Sequence, residues 1–242
     1  MCIFSGDVEN VKNTKIFVAP CSRRTTQLTV YSNQVSLKNE GFMVLPFPGK
    51  FVKFVDLTER KELFKDLEEY FPKSRSKSLS YSYEPKLEKV GSYQAVAMSD
   101  FKELSMTSQK LNINLDPEVV SFLEKHYSFG FGFVVFRLMK EMEYHPFGYV
   151  HTTDTGKMFV PTMHYHSRTD QDKKQVTADW DHKIYLLNRQ LNTGVVQIQN
   201  FKVPVSENVF DFRSLPGDLE LPQYLTKYEI RGNSFPNMDL EC

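Results

Sequence analysis

Twenty phenylalanines and twelve tyrosines in a chain of 242 residues leave few folds open. Aromatic side chains bury large flat areas and favour strands over helices, so a β-rich protein is expected. Local order agrees. Gln27-Leu28-Thr29-Val30-Tyr31-Ser32 alternates with period two and sets Leu28, Val30 and Ser32 on one face. Lys15-Ile16-Phe17-Val18-Ala19 reads as a short strand closed by Pro20. Gly41 through Leu45 reads as a buried strand ended by Pro46, Pro48 and Gly49, and Phe51 to Asp56 as a further one.

Helical signals are fewer. Thr58 is placed to cap a helix in which Leu63, Phe64, Leu67 and Phe71 form an apolar stripe, with Pro72 as its stop. Ser99 or Asp100 caps a short helix through Phe101 and Leu104. Asp116-Pro117-Glu118 opens a clearer one through Val119, Val120, Leu123 and Tyr127. Between the first and second, Lys73 to Tyr83 is rich in serine and lysine and reads as an exposed loop. Val90 to Met98 reads as a strand. Phe129 to Leu138 is the longest apolar strand candidate, with Phe129, Phe131 and Phe133 along one face. Asp154-Thr155-Gly156 reads as a hairpin turn joining a strand near Tyr144–Thr152 to one over Lys157–His166.

Lys183 to Leu187 and Val195 to Gln199 follow as strands. The last forty residues, with Pro204, Pro216, Pro222 and Pro236, read as an irregular wrapping tail. No internal repeat occurs. The expectation is an α+β fold: a mostly antiparallel sheet with two or three helices, forming a single domain over residues 1–188. A lobe break is placed near 73–86, and residues 189–242 form an irregular extension packed on the domain.

Thirty basic and thirty acidic side chains cancel, which argues against nucleic acid or an anionic membrane as partner. The three cysteines, Cys2, Cys21 and Cys242, do not form a secreted disulfide framework. No apolar leader follows Met1 and no run reaches membrane-spanning length, so a soluble cytoplasmic protein is expected.

Five of the six histidines fall between His145 and His182. Imidazole is the commonest side-chain metal ligand, and on a strand His164 and His166 share a face about 7 Å apart. With His182 and Asp181, they form a candidate site for zinc or another divalent metal, in which bound water would be activated for hydrolysis. His151 is an outside candidate, while His145 and His126 read as structural. A strand-borne His-x-His is not a specific motif, and backbone-bonded histidines explain it as well.

A second chemistry starts from Cys2. Removal of Met1 would give it a free α-amine of pKa about 8, able to act as base for its own thiol. Asn33, ending a later strand, would supply an oxyanion contact. The plain reading is a small apolar residue at a strand start. Cys21 stands beside Arg23 and Arg24, a neighbourhood that lowers a thiol pKa if the thiol is exposed.

Met1-Cys2-Ile3-Phe4-Ser5-Gly6 followed by Thr14-Lys15-Ile16-Phe17 resembles the opening of a family of small uncharacterised proteins, mainly bacterial. Val44 to Gly49, Val90 to Tyr93, Tyr127 to Phe136, His145-Pro146, Phe159 to His166 and Asp181-His182 extend the resemblance over about residues 1–188. The layout is also similar to that of a larger secreted domain family of unknown function. The resemblance implies one unit over that range and no reaction. Taken together, the residues favour a binding or structural protein acting through protein partners or self-association. A hydrolase, by metal or by Cys2, is the alternative, and whether the chain is an enzyme stays open.

Overall fold

The computed structural model describes residues 2–22, 25–71, 88–90, 93–140, 144–153, 157–166, 180–191, 199–205, 210–215, 218–232 and 237–242. Strands dominate them: β1 (Cys2–Ser5), β2 (Val8–Pro20), β3 (Thr26–Leu37), β4 (Gly41–Pro48), β5 (Phe51–Val55), β6 (Glu88–Val90), β7 (Tyr93–Met98) and β8 (Phe131–Leu138). After these come β9 (Phe147–Thr152), β10 (Phe159–Val160), β11 (His164–His166), β12 (Trp180–Leu187), β13 (Gln199–Pro204), β14 (Tyr224–Gly232) and β15 (Leu240–Glu241). The helices are α1 (Leu63–Glu68), α2 (Phe101–Lys110) and α3 (Pro117–Tyr127), of 6, 10 and 11 residues. The fold is therefore mainly β, which corrects the α+β expectation. The helices are short, and sheet continues through segments whose local pattern suggested loop or tail.

A six-stranded sheet runs β11-β1-β4-β8-β7-β6, a seven-stranded sheet runs β13-β14-β12-β2-β3-β9-β5, and β10 pairs with β15. Every pairing is antiparallel except β1 with β11 and β2 with β12. The second sheet explains the unbroken apolar runs. Ile16 and Val18 face one hydrophobic cluster while Phe17 and Ala19 face another, and Ile184/Leu186 against Tyr185/Leu187 repeat the division. The first cluster also takes Ile3, Phe4, Val44, Leu45 and Phe133 from the six-stranded sheet, with Leu104 of α2 and Val119 and Leu123 of α3. The second lies under α1, whose Leu63, Phe64 and Leu67 are buried as the sequence spacing requires, with Phe71 buried just beyond the helix end. A strand buried on both faces loses its period-two signature, because neither face has to be polar.

Several local expectations change. Thr58 does not cap a helix; it opens a 3-10 turn, Thr58–Arg60, and both its N–H (2.8 Å) and its hydroxyl (2.5 Å) donate to Asp56 Oδ1. α1 begins later, without a side-chain cap. Asp100 is the cap of α2, accepting from Glu103 N at 2.7 Å, while Glu103 reaches back to Ser99 N at 2.6 Å. Asp116 makes no cap bond within α3; its carboxylate accepts from Gly6 N at 2.8 Å and its N–H donates to Ser5 Oγ at 2.6 Å. That residue is spent on anchoring β1.

β4 runs through Pro46 instead of ending there. Its ladder with β1 covers Phe42–Val44, whereas its ladder with β8 covers Gly41–Pro48, so Pro46 sits beyond the stretch where β1 needs a donor. Val90 and Tyr93 pair across a β6–β7 hairpin, so the strand expected over Val90–Met98 is two strands. Phe129 precedes β8 and stands exposed in the turn before it.

The expected 154–156 hairpin does not form its pairings. β9 pairs with β3 and β5, β10 with β15, and β11 with β1. Residues after Asn188 supply β13, β14 and β15, so the extension is not irregular: two of its strands complete the seven-stranded sheet. The lobe break near 73–86, the loop Lys73 to Tyr83 and nearly all of the strand Val195 to Gln199 lie outside the described residues.

Candidate functional site

Two of the five histidines are held by backbone, and the side chain of His166 lies outside the described residues. His151, on β9, is wholly buried, its Nδ1 2.9 Å from Thr152 O and 3.1 Å from Pro48 O, its Nε2 3.4 Å from the Thr29 hydroxyl. Burial pushes its pKa down to about 4, against the pull of those carbonyls. His145 is also buried, with Nδ1 2.5 Å from Pro146 O and its carbonyl accepting from the Tyr93 hydroxyl at 2.7 Å; burial lowers its pKa too. Both rings are structural.

His164 and His182 do meet. One lies on β11 of the six-stranded sheet and the other, buried, on β12 of the seven-stranded sheet, with ring centroids 6.2 Å apart, edge to face. Asp181 Oδ1 lies 4.0 Å from His182 Nδ1. Its carboxylate, however, accepts from the backbone N–H groups of Asn13 and, at 3.4 Å, Thr14. Asn13 has a φ of 52°, at a register shift in β2 between Lys12 and Lys15. Asp181 thus secures a bulge. Among the described residues, no three His, Cys, Asp or Glu side chains converge to hold a metal ion.

β1 brings Cys2 into register with His164 on the parallel neighbour β11. Asn33, on β3, is buried and its amide donates to Met43 Sδ at 3.7 Å. Cys21 is buried rather than exposed, and burial raises its thiol pKa, the reverse of the electropositive expectation.

Two carboxylate sites escaped the sequence. Glu68, at the end of α1, accepts from Lys183 Nζ at 2.7 Å, Lys227 Nζ at 2.9 Å and the Tyr185 hydroxyl. Burial opposes its charge, but these donors outweigh it and hold the pKa at about 2. Lys227 is itself buried, bonded also to Glu229 at 2.9 Å, with the Phe71 ring 5.3 Å away. The second is Asp239. Its Oδ1 accepts from Thr162 N and Met163 N, both at 2.8 Å, and its Oδ2 from the Tyr127 hydroxyl at 2.6 Å. Burial raises its pKa despite those bonds. No local pattern marks either residue, because the donors come from 76 to 159 positions away in sequence.

The described residues define a mainly-β protein of two large sheets and three short helices. No known protein family profile matches the chain. Its fold is similar to that of baculovirus P35: a 2.7 Å crystal structure of a mutated P35 after caspase cleavage superposes with a TM-score of 0.53 at 10% identity, over 95% of this chain and 99% of that one. A 3.1 Å structure of a mutated P35 after caspase cleavage gives 0.51 at 11% identity, over 96% and 97%. Among the described residues no helix is long and apolar enough to cross a membrane.

Proposed function

We propose that the chain acts by binding a protein partner, and that the partner is a cysteine protease of the caspase type. One observation carries this reading. The fold is shared with baculovirus P35 over nearly the full length of both chains, and those P35 structures follow cleavage by a caspase. Several site residues are already committed within the fold: His145 and His151 are tied to backbone, Asp181 secures a bulge, and Asn33 is directed to a methionine sulfur. Fold alone does not carry function, so the test has to be direct.

The full chain is mixed with a panel of purified caspases, and complex formation is read by size-exclusion chromatography and residual peptidase activity. A stoichiometric complex and loss of activity at micromolar chain supports the proposal. Absence of any complex across the panel at that concentration rejects it.

A second reading has a specific observation behind it: the Cys2–His164 register, which sets a nucleophile type and an imidazole on adjacent strands. Intact mass showing Met1 removed, with a thiol probe on Cys2 lost in His164→Ala, supports a cysteine hydrolase. Retained Met1 ends it.

A further inference from the structure

Residues 237–242 lie in a channel bounded by α3, β10 and β11, and nearly every position is read by a separate contact. Asn237 uses both halves of its amide on one residue of β11: its oxygen accepts from His164 N at 2.6 Å and its nitrogen donates to His164 O at 2.7 Å. This is the pattern a neighbouring strand would make, and it closes the outer edge of the six-stranded sheet. Met238 offers its carbonyl to the Thr162 hydroxyl at 2.8 Å.

Asp239 fills the most specific position. One oxygen is held by two consecutive backbone N–H groups, Thr162 and Met163, and the other by the Tyr127 hydroxyl on α3. Alanine satisfies none of that set, and asparagine would set a donor in place of the charged acceptor that faces Tyr127, so the hydroxyl would have to turn. Leu240 packs on the main hydrophobic cluster, and Glu241 pairs with Lys157 at 2.6 Å. Cys242 and Met158 exchange both backbone bonds, at 2.7 and 3.0 Å.

We propose that this channel is a peptide-binding site. Its ligand is an extended segment with asparagine two positions before an aspartate and an aliphatic residue directly after it. Here the chain's own residues 237–242 occupy it, and in trans the occupant is the same segment of a second copy. The segment reaches the channel as a strand laid onto an edge, with side chains in alternate pockets, which is how sheet proteins bind extended peptides. A tethered segment competes at millimolar effective concentration, so the intact chain resists exchange and a nicked chain does not. The inference is independent of the protease proposed above.

The test uses the full chain with the recognition sequence of a specific protease placed within 233–236, plus a fluorescent peptide of residues 237–242. After nicking, the protein is expected to bind the peptide saturably by fluorescence anisotropy, at least tenfold more tightly than the uncut protein does. A peptide with Asp239→Ala should bind at least tenfold more weakly, and a nicked Tyr127→Phe protein should bind the native peptide more weakly with its circular dichroism unchanged. Uncut protein concentrated in mild denaturant should yield dimers by light scattering that excess peptide dissociates. Equal binding of the native and Asp239→Ala peptides overturns the proposal. So does loss of the β-sheet spectrum on nicking, which would make the segment an inseparable part of the fold.

Discussion

His151 gives the fold a built-in acid sensitivity whose size follows from its surroundings. The ring is wholly buried on β9, between Phe47 and Tyr149, with centroids 5.3 and 5.6 Å away. Its polar neighbours are two carbonyls and a hydroxyl, with no carboxylate among them. A neutral ring with its proton on Nδ1 suits them: it donates to Thr152 O and accepts from Thr29 on Nε2. An added proton on Nε2 would have to be carried without solvent. Accordingly its pKa stands at about 4 instead of 6.5.

The sign follows. As pH falls below 6.5 the unfolded chain takes up a proton that the folded chain refuses until about pH 4. Stability is therefore full above pH 6.5 and is lost progressively down to pH 4, by about 3 kcal/mol at 1.36 kcal/mol per pH unit. That is a large share of a typical stability of about 5–15 kcal/mol. Urea unfolding at pH 7.5, 5.5 and 4.5, at fixed ionic strength, measures it. His151→Gln keeps a donor for Thr152 O and cannot titrate. It should start about 1–2 kcal/mol less stable at pH 7.5, from lost ring packing, and then lose about 3 kcal/mol less than the native chain on acidification. His145 titrates in the same direction in both proteins and cancels in the difference. Parallel loss of stability in the two proteins would refute the reasoning.

Glu68 acts in a lower window: its folded pKa is depressed to about 2, so its contribution, present above pH 4.5, is lost between 4.5 and 2. Glu68→Gln leaves Lys183 without its carboxylate and Lys227 with Glu229 alone, and should cost about 3 kcal/mol at neutral pH, with no further loss from Glu68 in acid; a neutral melt unchanged from the native chain would contradict it. Gly132→Ala should destabilise by about 1–3 kcal/mol in thermal melts, because its Cβ would lie 2.5 Å from Phe47 Cζ and 2.8 Å from Met98 O, and backbone does not yield. Cys21 is buried, and burial raises Cys242 to about 12, so a thiol reagent at pH 7.5 should reach both in urea but neither in the native chain, as read by intact mass. A fragment of residues 1–188 loses β14, which pairs with β12 along Trp180–Leu187; the bared strand should make the fragment aggregate, and a monomeric, cooperatively folded fragment would show that the first 188 residues are a unit by themselves.

What could be read from the sequence was what neighbours in sequence decide. Ile16–Ala19, Gln27–Ser32 and Gly41–Leu45 declare strands because their own residues carry the signal, and the stripe on α1 does the same at helical spacing. Partner choice does not show there. Asp154-Thr155-Gly156 has the composition of a hairpin, yet β9 pairs back to β3 and β11 crosses to lie parallel to β1, more than 150 positions earlier. The histidine stretch is spread by the same effect. Nearness in sequence set five imidazoles side by side on paper, whereas the fold puts His151 and His182 in the seven-stranded sheet and His164 at the edge of the six-stranded one, and among the described residues the ring of His164 meets that of His182. Asp116 makes the point in reverse: its position is that of a helix cap, and the nearby β1 claims its carboxylate through Gly6 N. Polar groups that must be satisfied in a closed interior take whatever donor the topology delivers. Glu68 and Asp239, each held by three donors, therefore have no local signature: their donors become neighbours only when β12, β14 and the 237–242 segment have docked.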